Sequence, residues 1–519
     1  MNRTALIASS LATIAASTAP AIAKSTPNIV IIYADDMGYG DMSCQNPDSK
    51  IKTPNLDALA SKGMRFSDAH SSSTVSSPSR YALLTGNYSW RRMTNVVRAF
   101  GPSEIGEDEM TMAKMLKEEG YFTAMVGKWH LGWDWASVLK PEPRSRFDKD
   151  NKRPKLALDD YDWSQPFLGG PIDRGGFDYY FGDGTINFPP YCWIENQHVT
   201  QAPSFFVSEL GFQPLEGAGE LRQGPAAEDW HPTKVLPSIA DNAVRVIEKQ
   251  DETKPFFLYC ALSAPHAPII PNEEFHGKSE AGYYGDFVVQ CDNIVGRIIS
   301  ALDNKGLTEN TIIVFSADNG AEWYAYQRMI DFDHNSTASL QGIKRDTWEG
   351  GHRVPFIVRW DGRTKGGAVC DEVISQVDLI RTFASIVGAE LPSDAAVDSY
   401  NITPLLEGKK QRKPLREATV FHAPNDIYAI RQGEFVLIDN HTGTFPLKSE
   451  QFIKNRAWYN QKYNLPSYAD QDQMMLLFNL KEDRLEMENL ANKYPEKAAA
   501  MKRLLEEYKS SGSSIKQSK

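Results

Sequence analysis

Six short stretches of the 519-residue chain carry side chains whose types suit joint chemistry. Asp35-Asp36 and Asp318-Asn319 offer three carboxylates and an amide oxygen, a donor set that suits a hard divalent cation such as Ca²⁺ or Mg²⁺ better than zinc. Ser76-Ser77-Pro78-Ser79-Arg80, running on to Leu84-Thr85-Gly86, reads as a tight turn feeding a helix with a hydroxyl-rich N-terminus. There an anion and a nucleophile can meet. Arg80, Lys128, His130, His266 and Lys344 sit among glycine, proline and tryptophan or in turns, not on charged surface helices. Such fixed positive groups would neutralise a tetrahedral oxyanion and the charge that develops on it during transfer. Any one of these residues alone is ordinarily a cap, a solvated side chain or a core hydrogen-bonder; the case rests on their convergence.

Convergence requires strands that deliver them to one edge. Asn28 to Tyr33 is a continuous apolar, β-branched run, the mark of a strand covered on both faces, and it ends at Asp35-Asp36. Tyr121 to Val126 ends at Gly127-Lys128-Trp129-His130. Phe256 to Cys260 leads to Ala264-Pro265-His266, and Thr311 to Phe315 leads to Asp318-Asn319-Gly320. Helical patterns at about Thr53 to Lys62, Met110 to Glu119, Ser238 to Lys249, and along Val288, Ile294, Ile298 and Leu302 separate these strands. Repeated strand-loop-helix units predict a mostly parallel sheet sandwiched by helices, with ligands beyond the strands' C-terminal ends. From Trp133 to about Trp230 the alternation lapses into a region rich in Pro, Gly and aromatics, read as a substrate-facing wall or as packing loops. Past Gly408 short β-like runs at Ile427 to Arg431 and Glu434 to Asp439, then a helix near Pro495 to Tyr508 and a Ser/Lys tail expected to be disordered, predict a smaller C-terminal α+β unit.

Composition excludes some partners. Lys and Arg total 56 against 67 Asp and Glu, a net charge of −11 without a dense basic tract, which argues against nucleic acid or an anionic membrane. An anionic substrate would need a local basic pocket. Arg3, the small and apolar run Ala5 to Ala19 and Ala21-Ile22-Ala23 form a signal-peptide pattern cleaved after Ala23, so an exported protein is expected. Five scattered cysteines allow at most two bridges, so disulfides are not the scaffold.

Read together, the blocks resemble the type I, formylglycine-dependent sulfatases in serine-type form. Ser76-Ser77-Pro78-Ser79-Arg80 with Thr85-Gly86 is similar to the family's C/S-x-P-S-R signature. Asp35-Asp36-Met37-Gly38, Gly127 to Gly132, Pro265-His266-Ala267-Pro268, Asp318-Asn319-Gly320, and Gly342-Ile343-Lys344 with Glu349 to Pro355 resemble the remaining blocks in order. The resemblance spans about Asn28 to Leu490, ending on Leu477 to Leu480 and Glu488-Asn489-Leu490.

That resemblance implies an alkaline-phosphatase-like fold; the leader pattern and the composition shift past Gly408 divide the chain into a signal peptide over residues 1–23, a catalytic unit over 24–408 and a C-terminal α+β subdomain over 409–519. The resemblance also implies that Ser76 is oxidised to formylglycine, whose geminal diol takes the sulfuryl group and then expels sulfate through its second hydroxyl. A plain serine would be left as a sulfate ester needing another difficult hydrolysis. Asp35, Asp36, Asp318 and Asn319, with the modified Ser76, would hold Ca²⁺ in preference to Mg²⁺, Asp318 also helping to activate the attacking hydroxyl. Arg80 and Lys128 would fix the diol and sulfate, His130 would act as base, and His266 and Lys344 would bind sulfate and assist the leaving alcohol. The serine calls for a radical, serine-type maturase in a bacterial host, and the product is expected in the periplasm or medium. A sulfated carbohydrate is the expected substrate, with Arg174, Tyr191, Trp193 and His334 as candidate contacts. The alternatives are a phosphomonoester or phosphonate hydrolase, and a non-catalytic sulfated-glycan binder.

Overall fold

The computed structural model describes residues 26–141, 160–207, 221–440, 442–466, 468 and 474–515. The expected signal peptide and the end of the tail lie outside the described residues. Asn28–Ala34 is the central strand of a ten-stranded sheet, parallel to Phe256–Ala261 on one side and Thr311–Ala317 on the other. Phe122–Lys128 and Tyr179–Gly184 continue the parallel set beyond Phe256–Ala261. On the opposite flank Phe356–Trp360 pairs antiparallel with Thr311–Ala317, making the sheet mixed. The central strands are buried on both faces, as their Val/Ile-rich runs predict, and two hydrophobic layers enclose them. The long helices Pro232–Glu248 and Gly282–Asn304 contribute to one layer; Ser76–Thr85 and Asp378–Val387 contribute to the other.

Two expectations are revised. Helix Pro232–Glu248 starts six residues before the expected Ser238, its first turn seeded by Pro232 with His231 as N-cap. Tyr179–Gly184, inside the stretch read as irregular, is a full strand of the main sheet. Its sequence, Tyr-Tyr-Phe-Gly-Asp-Gly, lacks the aliphatic β-branched run that marked its neighbours, so sheet pairing rather than local preference makes it a strand.

A four-stranded antiparallel sheet follows, Thr419–Ala423, Ile427–Gln432, Phe435–Ile438 and Leu476–Asn479, with helix Pro495–Ser510 packed on it. It reaches back to the first unit: the Thr74 amide donates to the His422 carbonyl and the His422 amide to the Ser72 carbonyl. The backbone just ahead of Ser76 is therefore braced by the C-terminal sheet. Among the described residues no helix is long and apolar enough to cross a membrane, and all five cysteines are free.

Candidate active site

Parallel register does the first part of the assembly. Ala34 lies opposite Ala317, so the residues that leave the two strands, Asp35-Asp36 and Asp318-Asn319, emerge side by side. Asp36 turns sharply off its strand at φ 62°, a conformation short polar side chains tolerate, and its amide donates to Asp318 Oδ1 at 3.1 Å. The Asn319 side-chain amide donates to Asp36 Oδ1 at 2.7 Å. Ser76 is the first residue of the fully buried helix Ser76–Thr85, which Gly86 ends in the left-handed conformation at φ 70°. The Ser76 Oγ lies 3.2 Å from Asp35 Oδ1 and 3.4 Å from Asn319 Oδ1. Asp35, Asp36 and Asp318 each present a carboxylate oxygen within 4.8 Å of the others.

The cations come from three further elements. Arg80, one turn after Ser76, donates twice to Asp318 Oδ2, at 3.1 and 2.8 Å. Lys128, the last residue of Phe122–Lys128, donates to Asp35 Oδ2 at 2.6 Å. Lys344 lies 2.7 Å from the Asp36 carboxylate and 3.4 Å from Glu322. His266 Nε2 is 3.7 Å from Asp36 Oδ2. Lys128 and Arg80 thus grip Oδ2 of Asp35 and of Asp318, while Asp35 Oδ1, 3.4 Å from Arg80, faces Ser76 and Asp318 Oδ1 faces the Asp36 amide.

Burial sets the electrostatics. Burial, together with the neighbouring Asp35 charge, pushes the Asp318 carboxyl up to about 6 and also raises Asp36. Against the same burial, Lys128, His266 and Arg80 hold Asp35 well below the usual carboxylate range. A divalent cation among these oxygens would relieve the crowding of like charge, and a purely oxygen donor set fits a hard ion. Burial, then the Lys128 and Arg80 charges, push His130 well below its ordinary value. Its Nε2 bonds the Val97 carbonyl at 2.9 Å, which fixes that nitrogen as the donor, and its buried Nδ1 has no hydrogen-bond partner. His130 is therefore a neutral imidazole with a free lone pair. Ser76, His130, His266 and Lys344 line a cavity of about 560 Å³.

This arrangement of inward oxygens, a hydroxyl and surrounding cations finds its counterpart in known proteins. The Sulfatase family model matches residues 27–389. The chain belongs to the sulfatase family. It is accordingly a sulfuric ester hydrolase. It is 31% identical to an N-acetylgalactosamine-6-O-sulfatase of Bacteroides thetaiotaomicron, over 93% of each chain. A solved structure from work on glycosaminoglycan metabolism by Bacteroides thetaiotaomicron aligns with a TM-score of 0.74 at 30% identity, covering 94% of this sulfatase and 99% of that chain. A phosphonate monoester hydrolase of Agrobacterium radiobacter aligns with a TM-score of 0.56 at 18% identity, covering 94% and 96%, a likeness of fold alone.

All ten residues expected from the motifs, Asp35, Asp36, Ser76, Arg80, Lys128, His130, His266, Asp318, Asn319 and Lys344, meet in this one region of the sulfatase. The four expected substrate contacts do not line its cavity. Arg174 faces Glu107 at 3.8 Å. Tyr191 is buried, its hydroxyl bonded to the carbonyls of Arg222 and Asn187, so it props the cavity wall from behind. Trp193 stacks on Phe181, and the buried His334 bonds Asp41 at 2.8 Å. Arg98, Asn187, Phe188, Arg222 and Arg345 line the cavity instead. The Pro189-Pro190 pair, which fixes the backbone after Phe188, was the available signal for that wall.

Proposed function

We propose that this protein hydrolyses the sulfate ester of a sulfated carbohydrate, with Ser76 in its oxidised, formylglycine form as the nucleophile. The observation that carries this is the seat of Ser76 Oγ between Asp35 and Asn319 on a cavity lined by Lys344 and two histidines, with Arg80 and Lys128 buried behind it on Asp318 and Asp35. Similarity to relatives named for N-acetylgalactosamine 6-sulfate supports a sulfated glycan, and makes a 6-sulfated N-acetylgalactosamine the first substrate to try.

When present, the aldehyde hydrate would supply a nucleophile able to release sulfate again. A divalent cation, Ca²⁺ in our reading, would add Lewis-acid stabilisation, held by Asp35, Asp36, Asp318 and Asn319 together with residue 76. Arg80 and Lys128 orient residue 76 and the sulfate through the carboxylates they already grip. Asp318, raised by its surroundings, accepts the nucleophile's proton. Lys344 and His266, at the cavity side of Asp36, bind sulfate oxygens and serve the leaving alcohol. His130, neutral with Nδ1 free, takes the proton whose removal expels sulfate. Residues 1–23 act as an export signal in this reading, 24–408 as the catalytic unit and 409–519 as the bracing subdomain.

The test is coexpression with a serine-type radical maturase. The Ser76 peptide is expected to lose the mass of two hydrogens, and the matured protein to release sulfate from 4-nitrophenyl sulfate faster than phosphate from 4-nitrophenyl phosphate. A modified protein that favours phosphate would overturn the reading.

A further inference from the structure

Two adjacent cations on the cavity lining, Lys344 and Arg345, reach one carboxylate that is not part of that lining. Glu322, buried, lies in the loop that leaves strand Thr311–Ala317 beyond Asp318-Asn319-Gly320. Its Oε1 accepts from Arg345 Nη1 at 2.5 Å and from the Trp323 amide at 2.9 Å, and its Oε2 is 3.4 Å from Lys344 Nζ. Against its burial, Arg345 and Lys344 hold the Glu322 carboxyl well below the usual carboxylate range, so it stays charged.

The turn that brings both side chains to it is strained and fastened. Arg345 takes φ 77°, a left-handed conformation that long side chains disfavour. The Lys344 amide donates to the Ala321 carbonyl at 2.9 Å and the Arg345 amide to the Thr74 carbonyl at 3.0 Å. The turn is therefore tied on one side to the loop that carries Asp318 and Asn319, and on the other to the segment just ahead of Ser76.

Lys344 has a second anion, Asp36, at 2.7 Å, but that carboxylate is shared. It also accepts from the Asn319 side-chain amide at 2.7 Å and belongs to the cluster of three whose oxygens lie together. A cation seated among those oxygens would attract Asp36 and repel Lys344. Glu322 stands outside that cluster. Its charge remains for the lysine, and Arg345 keeps it from turning away.

We infer that Glu322 is a positioning residue for sulfate ester cleavage: clamped by Arg345, it holds the Lys344 ammonium where it meets the sulfate and the leaving oxygen. This rests on the sulfatase reading above, in which Lys344 serves the leaving alcohol. Glu322 acts through Lys344 and does not touch substrate.

The test is a dependence on leaving group. Matured wild type and Glu322→Gln, which keeps the side chain's size and an acceptor for the Trp323 amide, are compared on 4-nitrophenyl sulfate and phenyl sulfate. Phenolate is the more basic leaving group and depends more on a proton or cation at its oxygen. The variant is expected to lose about tenfold more kcat/KM on phenyl sulfate than on the nitrophenyl ester. In a Lys344→Met background the same substitution is expected to add nothing to that difference. Glu322→Asp, whose shorter side chain keeps the charge, is expected to show a smaller excess loss in the same direction, and it carries the test should the glutamine variant not fold. A second readout needs no turnover. Inorganic sulfate titrated calorimetrically into the unmatured protein is expected to bind Glu322→Gln about tenfold more weakly than wild type, the worth of one charge-assisted hydrogen bond. Equal losses on the two esters, an excess loss that persists without Lys344, or unchanged sulfate affinity overturns the inference while leaving the sulfatase reading intact. Failure of matured wild type to release sulfate from either ester removes the sulfatase reading and the inference with it.

Discussion

Two buried clusters in this molecule bring three potential metal ligands within 4.8 Å of one another: Asp35, Asp36 and Asp318, and His70, Glu349 and His352. Their hydrogen bonds distinguish them. In the first, Asp35 and Asp318 each give one oxygen to Lys128 or Arg80 and turn the other toward Ser76 or the Asp36 amide, so acceptors face inward. In the second, His70 Nε2 is bound to Asp68 at 2.6 Å and His352 Nε2 to the Thr347 carbonyl at 3.1 Å, which makes both Nε2 atoms donors. The two Nδ1 atoms meet at 2.9 Å. Two lone pairs at that distance repel, so one proton lies between them. The ring centres are 5.1 Å apart, nearly the contact plus two ring radii, so the nitrogens point at each other and leave no room for an ion between them. Asp68 and Arg353 (3.0 Å) and Glu349 and Arg353 (2.5 Å) are already paired, so a dication would add to the positive charge. The acidic cluster is built to take a cation, and the histidine cluster to trap a proton. Proximity of ligand types does not separate them; donor and acceptor arithmetic does.

The largest expected effect breaks the first cluster. Asp318→Asn, which removes the charge that anchors Arg80 and faces Asp36, should lower kcat of the matured enzyme by about a thousandfold or more. The check that does not depend on turnover is thermal melting of the unmatured protein with Ca²⁺ or with a chelator. Wild type should gain about 2.7 kcal/mol when the ion is at a hundred times its Kd, and Asp318→Asn should gain little. A gain undiminished by the substitution would place the ion elsewhere.

The second cluster should respond to packing and not to metal. His352→Leu keeps apolar contact with Phe421, whose ring centre lies 3.9 Å from that of His352, but leaves His70 Nδ1–H without an acceptor in a fully buried setting. The cost should be about 1–3 kcal/mol in denaturant unfolding. Added Zn²⁺ should stabilise neither protein. A Zn²⁺-dependent rise in wild-type Tm that His352→Leu abolishes would show the cluster to be a metal site after all.

The legibility of the two clusters in sequence differed for the same reason. Asp35-Asp36 and Asp318-Asn319 directly follow an apolar strand run, Lys128 ends one and His266 comes five residues after one, and strand ends of a parallel sheet are brought together by register. Local pattern therefore carried the site. His70 and His352 lie 282 positions apart, one on the two-residue strand Ala69–His70 and one on the four-residue helix Glu349–His352, elements too short to leave a periodic trace. The strand Tyr179–Gly184 was invisible because neighbours, not residue preference, make it a strand. The cavity wall was misplaced for a related reason: aromatic content drew attention to Tyr191 and Trp193, which are buried at 0% and 6% exposure, whereas Phe188, Arg98 and Arg222 reach the cavity. Composition finds aromatic residues but cannot say which side of a loop they take.

The smallest effect sharpens the contrast by pH. Burial pushes His352 down to about 3, so it is neutral in the fold, where it accepts from His70, while in the unfolded chain it gains a proton below about 6.5. Between those values the unfolded state binds more protons, so stability falls as pH is lowered through that window and is fully present above it. His352→Asn keeps an acceptor oxygen near the Nδ1 position and removes the titrating group. At pH 7.5 its stability should lie close to that of wild type. Between pH 6 and pH 5, above the range in which ordinary carboxylates titrate, wild type should lose up to about 1.4 kcal/mol per pH unit more than the variant. Urea unfolding at half-unit steps measures both slopes. Equal slopes would mean that His352 is already protonated in the fold, which would reverse the direction of the shared hydrogen bond and make His70 the acceptor.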